Sequence, residues 1–419
     1  MKNFKTWNRR DFLAQVTSSL AASPLLRGPR FLLPQSTSSA SQTARNARPI
    51  YRTLGNTGVS LPIVSMGVMN ADVPGLIPRS YELGIRHFDT AARYQQGRNE
   101  EMVGRMIKQM GVRDKVIIST KVLRPGWSRD PNQAPSQTYS AAEVKSHFNE
   151  VFQSSLNRLQ MDYVDILYNH SADSVTEVHS EGALEAMVAL KKEGKARFLG
   201  VSSHQPEMAL KEAMKMGVYD VVLIPINYTM AKNVEFLKTI DEAARKGLGL
   251  IAMKTQAGGA IKPDPKLEKP LTPASQAALL KWVLHHESIA TAIPGFTTYE
   301  QLEQNFQVAL NLAYSTEEQE FLSDQKAVAA AQFCVQCGEC RSDCPLGVDI
   351  PHLMRSHMYA VQYSNYELAA ETMRAIAASK SLGACGNCQS CRAVCRNSVN
   401  IAMKIGHLKT LRWNGTLPA

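Results

Sequence analysis

No cysteine occurs before residue 334 of this 419-residue chain, so no disulfide framework can staple its first three quarters. No stretch approaches the roughly 18 consecutive apolar residues that a bilayer-spanning helix requires. Lys and Arg outnumber Asp and Glu for a formal charge of +10, but the excess is spread along the chain. No basic block marks a nucleic-acid arm, and helix-turn-helix and RNA-binding signatures are missing, so nucleic acid is not an expected partner. No G-x-G-x-x-G turn follows the first strand-like run, which counts against a doubly wound dinucleotide fold.

What is present begins with an address. The chain opens MKNFKTWNRRDFLAQVTSSLAASPLL, with Arg9 and Arg10 paired ahead of Asp11, Phe12 and Leu13 and a mildly apolar Ala/Ser stretch. That order resembles a twin-arginine export signal, with the small residues Ser38, Ser39 and Ala40 as a peptidase site. An amphipathic helix with two adjacent arginines is the plain alternative. Export of a folded chain suits a protein that acquires a metal cofactor in the cytoplasm. Residues 34–49 are rich in Ser, Thr, Ala, Gln and Arg and read as a disordered linker. Residues 1–49 are therefore set apart as signal and linker, and the expected location is periplasmic or otherwise extracytoplasmic, with no transmembrane segment after signal removal.

From Tyr51 the pattern changes. LPIVSMG, GIRHFDT, KVIISTK, DYVDILYNH, ARFLGVS, DVVLIPIN, GLGLIAMK and IATAIPG are eight short apolar runs, each followed by an amphipathic segment such as ALEAMVALKKEGK. Continuous apolar strands alternating with helices predict a parallel sheet covered by helices, and eight units predict an α/β fold of the (β/α)8 TIM barrel class over residues 50–325. Residues 326–419 are assigned to a small, mainly helical appendage. In such a barrel the chemistry sits where strands end. Asp89, Lys121 and His170 close the second, third and fourth runs, and Tyr94 lies five residues past Asp89. Each has an ordinary explanation alone, as a cap, a solvated lysine or a packed tyrosine. Four together at one rim point to a catalytic site.

GIRHFDTAARY, VIISTK, SSLNRLQMDYVDILYNH and FLGVSS resemble the aldo/keto reductase family, in that order and spacing, over residues 51–315. The resemblance implies an NAD- or NADP-dependent interconversion of a small carbonyl and its alcohol. It makes Tyr94 the general acid, Lys121 and Asp89 the pair that tunes it, and His170 the group that orients the carbonyl. The chemistry asks for these types: an oxygen becoming alkoxide needs a proton donor, a free phenol with a pKa of about 10 is a weak one, and a neighbouring ammonium stabilises its anion.

The resemblance also implies a nicotinamide cofactor across the barrel mouth. Ser202 and Ser203 stand where the family contacts the carboxamide, though Ser203 replaces the usual Asn. Leu223 takes the place of a carboxamide-binding Gln, leaving Asn227 as the nearby polar group. Met253 replaces the stacking aromatic, and Lys254 is placed to meet the diphosphate. Gly295, Phe296, Thr297, Gln301 and Asn305 belong to the closing phosphate loop and helix. Gly295 and Gln301 carry no charge where many NADP-preferring members have cations, which favours NAD or no strong preference. Trp127, in a long loop after the third run, is a pocket-wall candidate or a locally packed residue.

All eight cysteines lie in two runs: Cys334, Cys337, Cys340 and Cys344, then Cys385, Cys388, Cys391 and Cys395. The C-x2-C-x2-C-x3-C spacing, twice, is that of bacterial ferredoxins holding two [4Fe–4S] clusters, with Arg396 where a Pro usually follows the second run. In such proteins the last cysteine of each run crosses to the other cluster. That groups Cys334, Cys337, Cys340 and Cys395, and separately Cys385, Cys388, Cys391 and Cys344. Zinc leaves one thiolate surplus per site, and disulfides between residues three apart are strained. The helical spacing between the runs resembles the helical type of two-cluster ferredoxin. An electron relay implies a redox protein partner, yet hydride moves two electrons and a cluster one, and no flavin signature bridges them.

Overall fold

The computed structural model describes residues 48–126, 139–256, 272–324, 334, 338–362, 365–386, 388, 391–395 and 399–411. The signal-like segment, Trp127 and Cys337 lie outside the described residues.

A short antiparallel hairpin, β1 (Tyr51–Thr53) and β2 (Ser60–Pro62), precedes the barrel. Eight parallel strands follow: β3 (Met66–Gly67), β4 (His87–Asp89), β5 (Ile117–Val122), β6 (Val164–Asn169), β7 (Ala196–Ser202), β8 (Val221–Pro225), β9 (Gly249–Met253) and β10 (Thr291–Ala292). Their spatial order is their chain order, from β3 to β10. Bridges Val64–Ala292 and Gly67–Gly295 join the first strand region to the last and close the ring. The barrel is thus the (β/α)8 fold that the eight apolar runs predict.

Two apolar layers form because each strand is buried on both faces. Inside, Ile166, Tyr168, Val221, Leu223 and Ile251 pack together, and Leu54 and Leu61 of the hairpin cap them from below. Outside, the alternate residues Leu167, Val222 and Leu250 meet the helices. Helix starts are fixed by side chains. Ser140 and Glu143 form a reciprocal capping box at the Ala141–Leu159 helix, and Ser315 and Glu318 repeat it at Thr316–Ser323.

The C-terminal segment belongs to the same compact unit as the barrel. Its helices Ile350–His357, Tyr366–Arg374 and Ile401–Thr410 gather around Leu353, Met354, Ile405 and Leu408. Leu279 of the barrel helix Pro273–Leu284 joins that core, with Met69, Tyr228 and Phe321 packed against it. Among the described residues no helix is long and apolar enough to cross a membrane.

Candidate active site

Asp89 ends β4 and Lys121 lies in β5, and parallel pairing sets their side chains together at the C-terminal rim. Both are 1% exposed, and the Lys121 ammonium is paired with Asp89 while donating to the Thr90 carbonyl at 2.6 Å. The other Asp89 oxygen accepts from Ser119 Oγ at 2.6 Å, and His87 Nε2 meets that hydroxyl at 3.0 Å. The pair is fixed on every side. Burial pushes the Lys121 pKa down, and Asp89 opposes the shift. Burial likewise takes His87 down to about 4, leaving it neutral.

Lys121 Nζ lies 4.9 Å from the centre of the Tyr94 ring, and that ring meets His170 edge-on at 5.9 Å. Tyr94, Lys121, His170 and Asp89 line one cleft. Burial, then the charge of Lys121, hold His170 well below its usual pKa, so it is neutral. Its Nδ1 is buried with no partner among the described residues. Past Tyr94 the chain turns sharply: Gln95 and Gln96 are both left-handed, with φ of 50° and 57°. The Gln95 carboxamide holds this turn by donating to the carbonyls of Met69 and Ala71 at 3.3 and 3.1 Å.

The cofactor-side residues divide. Ser202, Met253, Lys254, Gly295, Gln301 and Asn305 line the cleft. Ser203, Asn227, Phe296 and Thr297 are not among its lining residues. Ser203 is fully buried and donates to Asp173 at 3.0 Å. Asn227 accepts from the Thr229 N–H and hydroxyl, capping a short turn, while Phe296 is wholly buried in the outer core. Thr297 donates through its N–H and hydroxyl to Gln301 Oε1, at 2.9 and 3.0 Å.

The thiols also gather. Cys340 and Cys385 are buried, the others described are partly or fully exposed, and no disulfide joins any described pair. Burial raises the Cys385 pKa, Lys409 lowers it, and Cys388, Cys391 and Cys344 raise it further. Cys344 of the first run is therefore within electrostatic reach of Cys385 of the second. No three donor side chains among the described residues are drawn up around a single metal point. An all-thiol donor set of this kind suits iron–sulfur chemistry.

The aldo/keto reductase family profile matches residues 70–277. Over that span the barrel is similar to the aldo/keto reductases. A second profile, dihydropyrimidine dehydrogenase domain II, 4Fe-4S cluster, matches residues 311–415. L-Glyceraldehyde 3-phosphate reductase of Escherichia coli O157:H7 is 28% identical over 320 residues, spanning 64% of this chain and 90% of its own. The holo form of an aldo-keto reductase from Bacillus halodurans superposes with a TM-score of 0.54 at 25% identity, covering 68% of this chain and 98% of its own. An aldo-keto reductase from Klebsiella pneumoniae in complex with NADPH gives a TM-score of 0.50 at 22% identity, covering 66% and 96%. The protein is an oxidoreductase with an iron–sulfur domain C-terminal to its barrel.

Sequence reasoning missed the roof of this cleft. Arg355, Tyr359, Asn365, Leu368 and Glu371, all from the C-terminal domain, line it. Glu371 pairs with Arg93, Glu367 reaches Arg98 at 3.4 Å, and Asn365 Nδ2 donates to Asn70 at 3.0 Å. Nothing in DIPHLMRSH or YELAAETMR says what those helices cover. Gly200 in FLGVS was a readable signal left unused: a Cβ there would stand 2.4 Å from the Tyr168 ring, inside the floor of the site.

Proposed function

We propose that this protein interconverts a small carbonyl compound and its alcohol using NAD or NADP, and that its C-terminal domain carries two [4Fe–4S] clusters. Support for the first part comes above all from the buried Asp89–Lys121 pair beside the Tyr94 ring, facing the neutral His170. The dinucleotide supplies the hydride. As the carbonyl oxygen gains negative charge, the Tyr94 hydroxyl gives it a proton. Lys121, held by Asp89 and the Thr90 carbonyl, stabilises the phenolate left behind, and in the oxidative direction the same phenolate takes the proton back. His170 donates one hydrogen bond to the same oxygen and, being neutral, does not compete as the acid.

Ser202, Met253 and Lys254 would hold the nicotinamide half and the diphosphate. Uncharged Gly295 and Gln301 favour NAD or no strong preference, although the Klebsiella relative binds NADPH. In Tyr94→Phe, turnover should be lost while dinucleotide binding persists. Loss of both, or of neither, would remove Tyr94 from the acid's role.

The cluster domain supports a second reading, because its helices adjoin the barrel mouth. In that reading the clusters relay electrons to a redox protein, or sense redox state, with the barrel as docking or cofactor scaffold. Anaerobic NADH or NADPH added to cluster-loaded protein tests it through the visible and EPR signals. Reduced clusters support a relay; clusters that stay oxidised leave the domain structural or too low in potential. Export by the twin-arginine route, with the cofactor carried out tightly bound, completes the proposal. Nicotinamide released on denaturing the exported protein is its check.

A further inference from the structure

One corner of the barrel mouth is crowded with cationic side chains. Lys254, just past β9, and His204, just past β7, line the cleft from the barrel. Arg355 reaches the same cleft from the Ile350–His357 helix of the iron–sulfur domain. Arg355 is only 8% exposed, and its Nε is buried with no hydrogen-bond partner among the described residues. It makes no ion pair with any of them. A guanidinium taken out of water with no carboxylate bonded to it directly is disfavoured, so this position suits a further anion.

The nearby carboxylates are already committed. Asp173 accepts from Ser203 Oγ at 3.0 Å and the His204 N–H at 2.6 Å, and its second oxygen faces His204 Nδ1 at 3.1 Å. Glu371 is turned to Arg93 and Glu367 to Arg98. Burial works against the Asp173 carboxylate, yet His204 and then Arg355 outweigh it and hold it ionised. Burial and then Lys254 take His204 down to about 4, so it is neutral. Lys254 and Arg355 thus bring positive charge to this corner from both domains, while the nearby Asp173 is already bonded to Ser203 and His204.

We propose that Arg355 and Lys254 form a two-cation clamp, one arm from the iron–sulfur domain and one from the barrel, for the diphosphate that bridges the two nucleosides of NAD or NADP. The inference rests on the nicotinamide-dependent reading of the barrel and adds the second domain to the cofactor's site. A guanidinium suits the task because its charge is permanent and its planar fork pairs with two phosphate oxygens.

The test titrates full-length, cluster-loaded protein with NADPH, NADH and ADP-ribose, which keeps the diphosphate but lacks nicotinamide. Arg355→Ala should weaken all three about 10- to 100-fold, with the cluster EPR signal unchanged. Arg355→Lys, which keeps the charge and loses the fork, should recover part of the affinity. Unchanged affinities in both variants overturn the clamp alone. If inorganic phosphate binding is lost while the dinucleotides are unaffected, the guanidinium serves a substrate phosphate and the clamp is wrong. Wild-type protein that binds none of the three overturns the clamp together with the nicotinamide reading. Should Arg355→Ala lose its clusters, Arg355→Lys decides: an intermediate loss supports the clamp, and wild-type affinity refutes it.

Discussion

Replacing Lys121 with Met removes the cation from a pair in which both residues are 1% exposed. Asp89 then keeps Ser119 as a donor but carries a buried charge with no counter-ion. Breaking a buried pair from one side costs about 3–5 kcal/mol. For a folded unit of this length that lowers the melting temperature by roughly 4–6 °C. Asp89→Asn combined with Lys121→Met removes both charges and should recover most of the stability but none of the turnover. Calorimetry, run beside a reductase assay, separates the two roles of the pair. The reasoning fails if single and double variants melt alike, or if either keeps wild-type turnover.

Other outcomes follow from the same geometry. Gly200→Ala forces a Cβ to 2.4 Å from the Tyr168 ring, and overpacking of that kind should cost about 1–3 kcal/mol in urea unfolding; a neutral result would mean that Tyr168 moves aside freely. His87 is buried and neutral with a pKa near 4 against an ordinary 6.5, so the unfolded chain takes up a proton first as pH falls. The stability it contributes should be complete above pH 6.5 and decline by about 3 kcal/mol toward pH 4, and a flat urea midpoint over that window would refute it. Cys344→Ser should abolish the cluster held by the second cysteine run while sparing the other, read as about half the iron and one lost EPR signal; equal loss of both would argue against crossed ligation.

The barrel was legible because burial on both faces leaves an apolar run in every strand, as in DYVDILYNH and DVVLIPIN. Its shortest strands were not. LPIVSMG yields only Met66–Gly67 as a barrel strand, its first two residues ending the hairpin, and IATAIPG only Thr291–Ala292. These are the two edges where the ring closes, and bridges there replace a longer ladder. Asp89, Lys121 and His170 could be read together because a strand end fixes a side chain's direction. Spacing in a loop does not say which way a side chain turns, as at Asn227 and Phe296. The roof was hidden for a deeper reason. Every residue of IPHLMRSH is buried, including His352, Arg355 and His357. A sequence with that many polar groups reads as a half-exposed helix, and only tertiary packing covers its polar side.

The two left-handed glutamines after Tyr94 have a bearing on engineering. A non-glycine residue in that conformation is disfavoured by about 1–2 kcal/mol, and Gln95 and Gln96 adopt it in succession. Gln95 is tied to the Met69 and Ala71 carbonyls, but Gln96 is exposed, so glycine fits at 96 without losing a buried contact. A search for heat-resistant variants would be drawn to that position. The turn it relaxes is the one that aims the Tyr94 hydroxyl, so a more robust protein obtained there should be a slower catalyst.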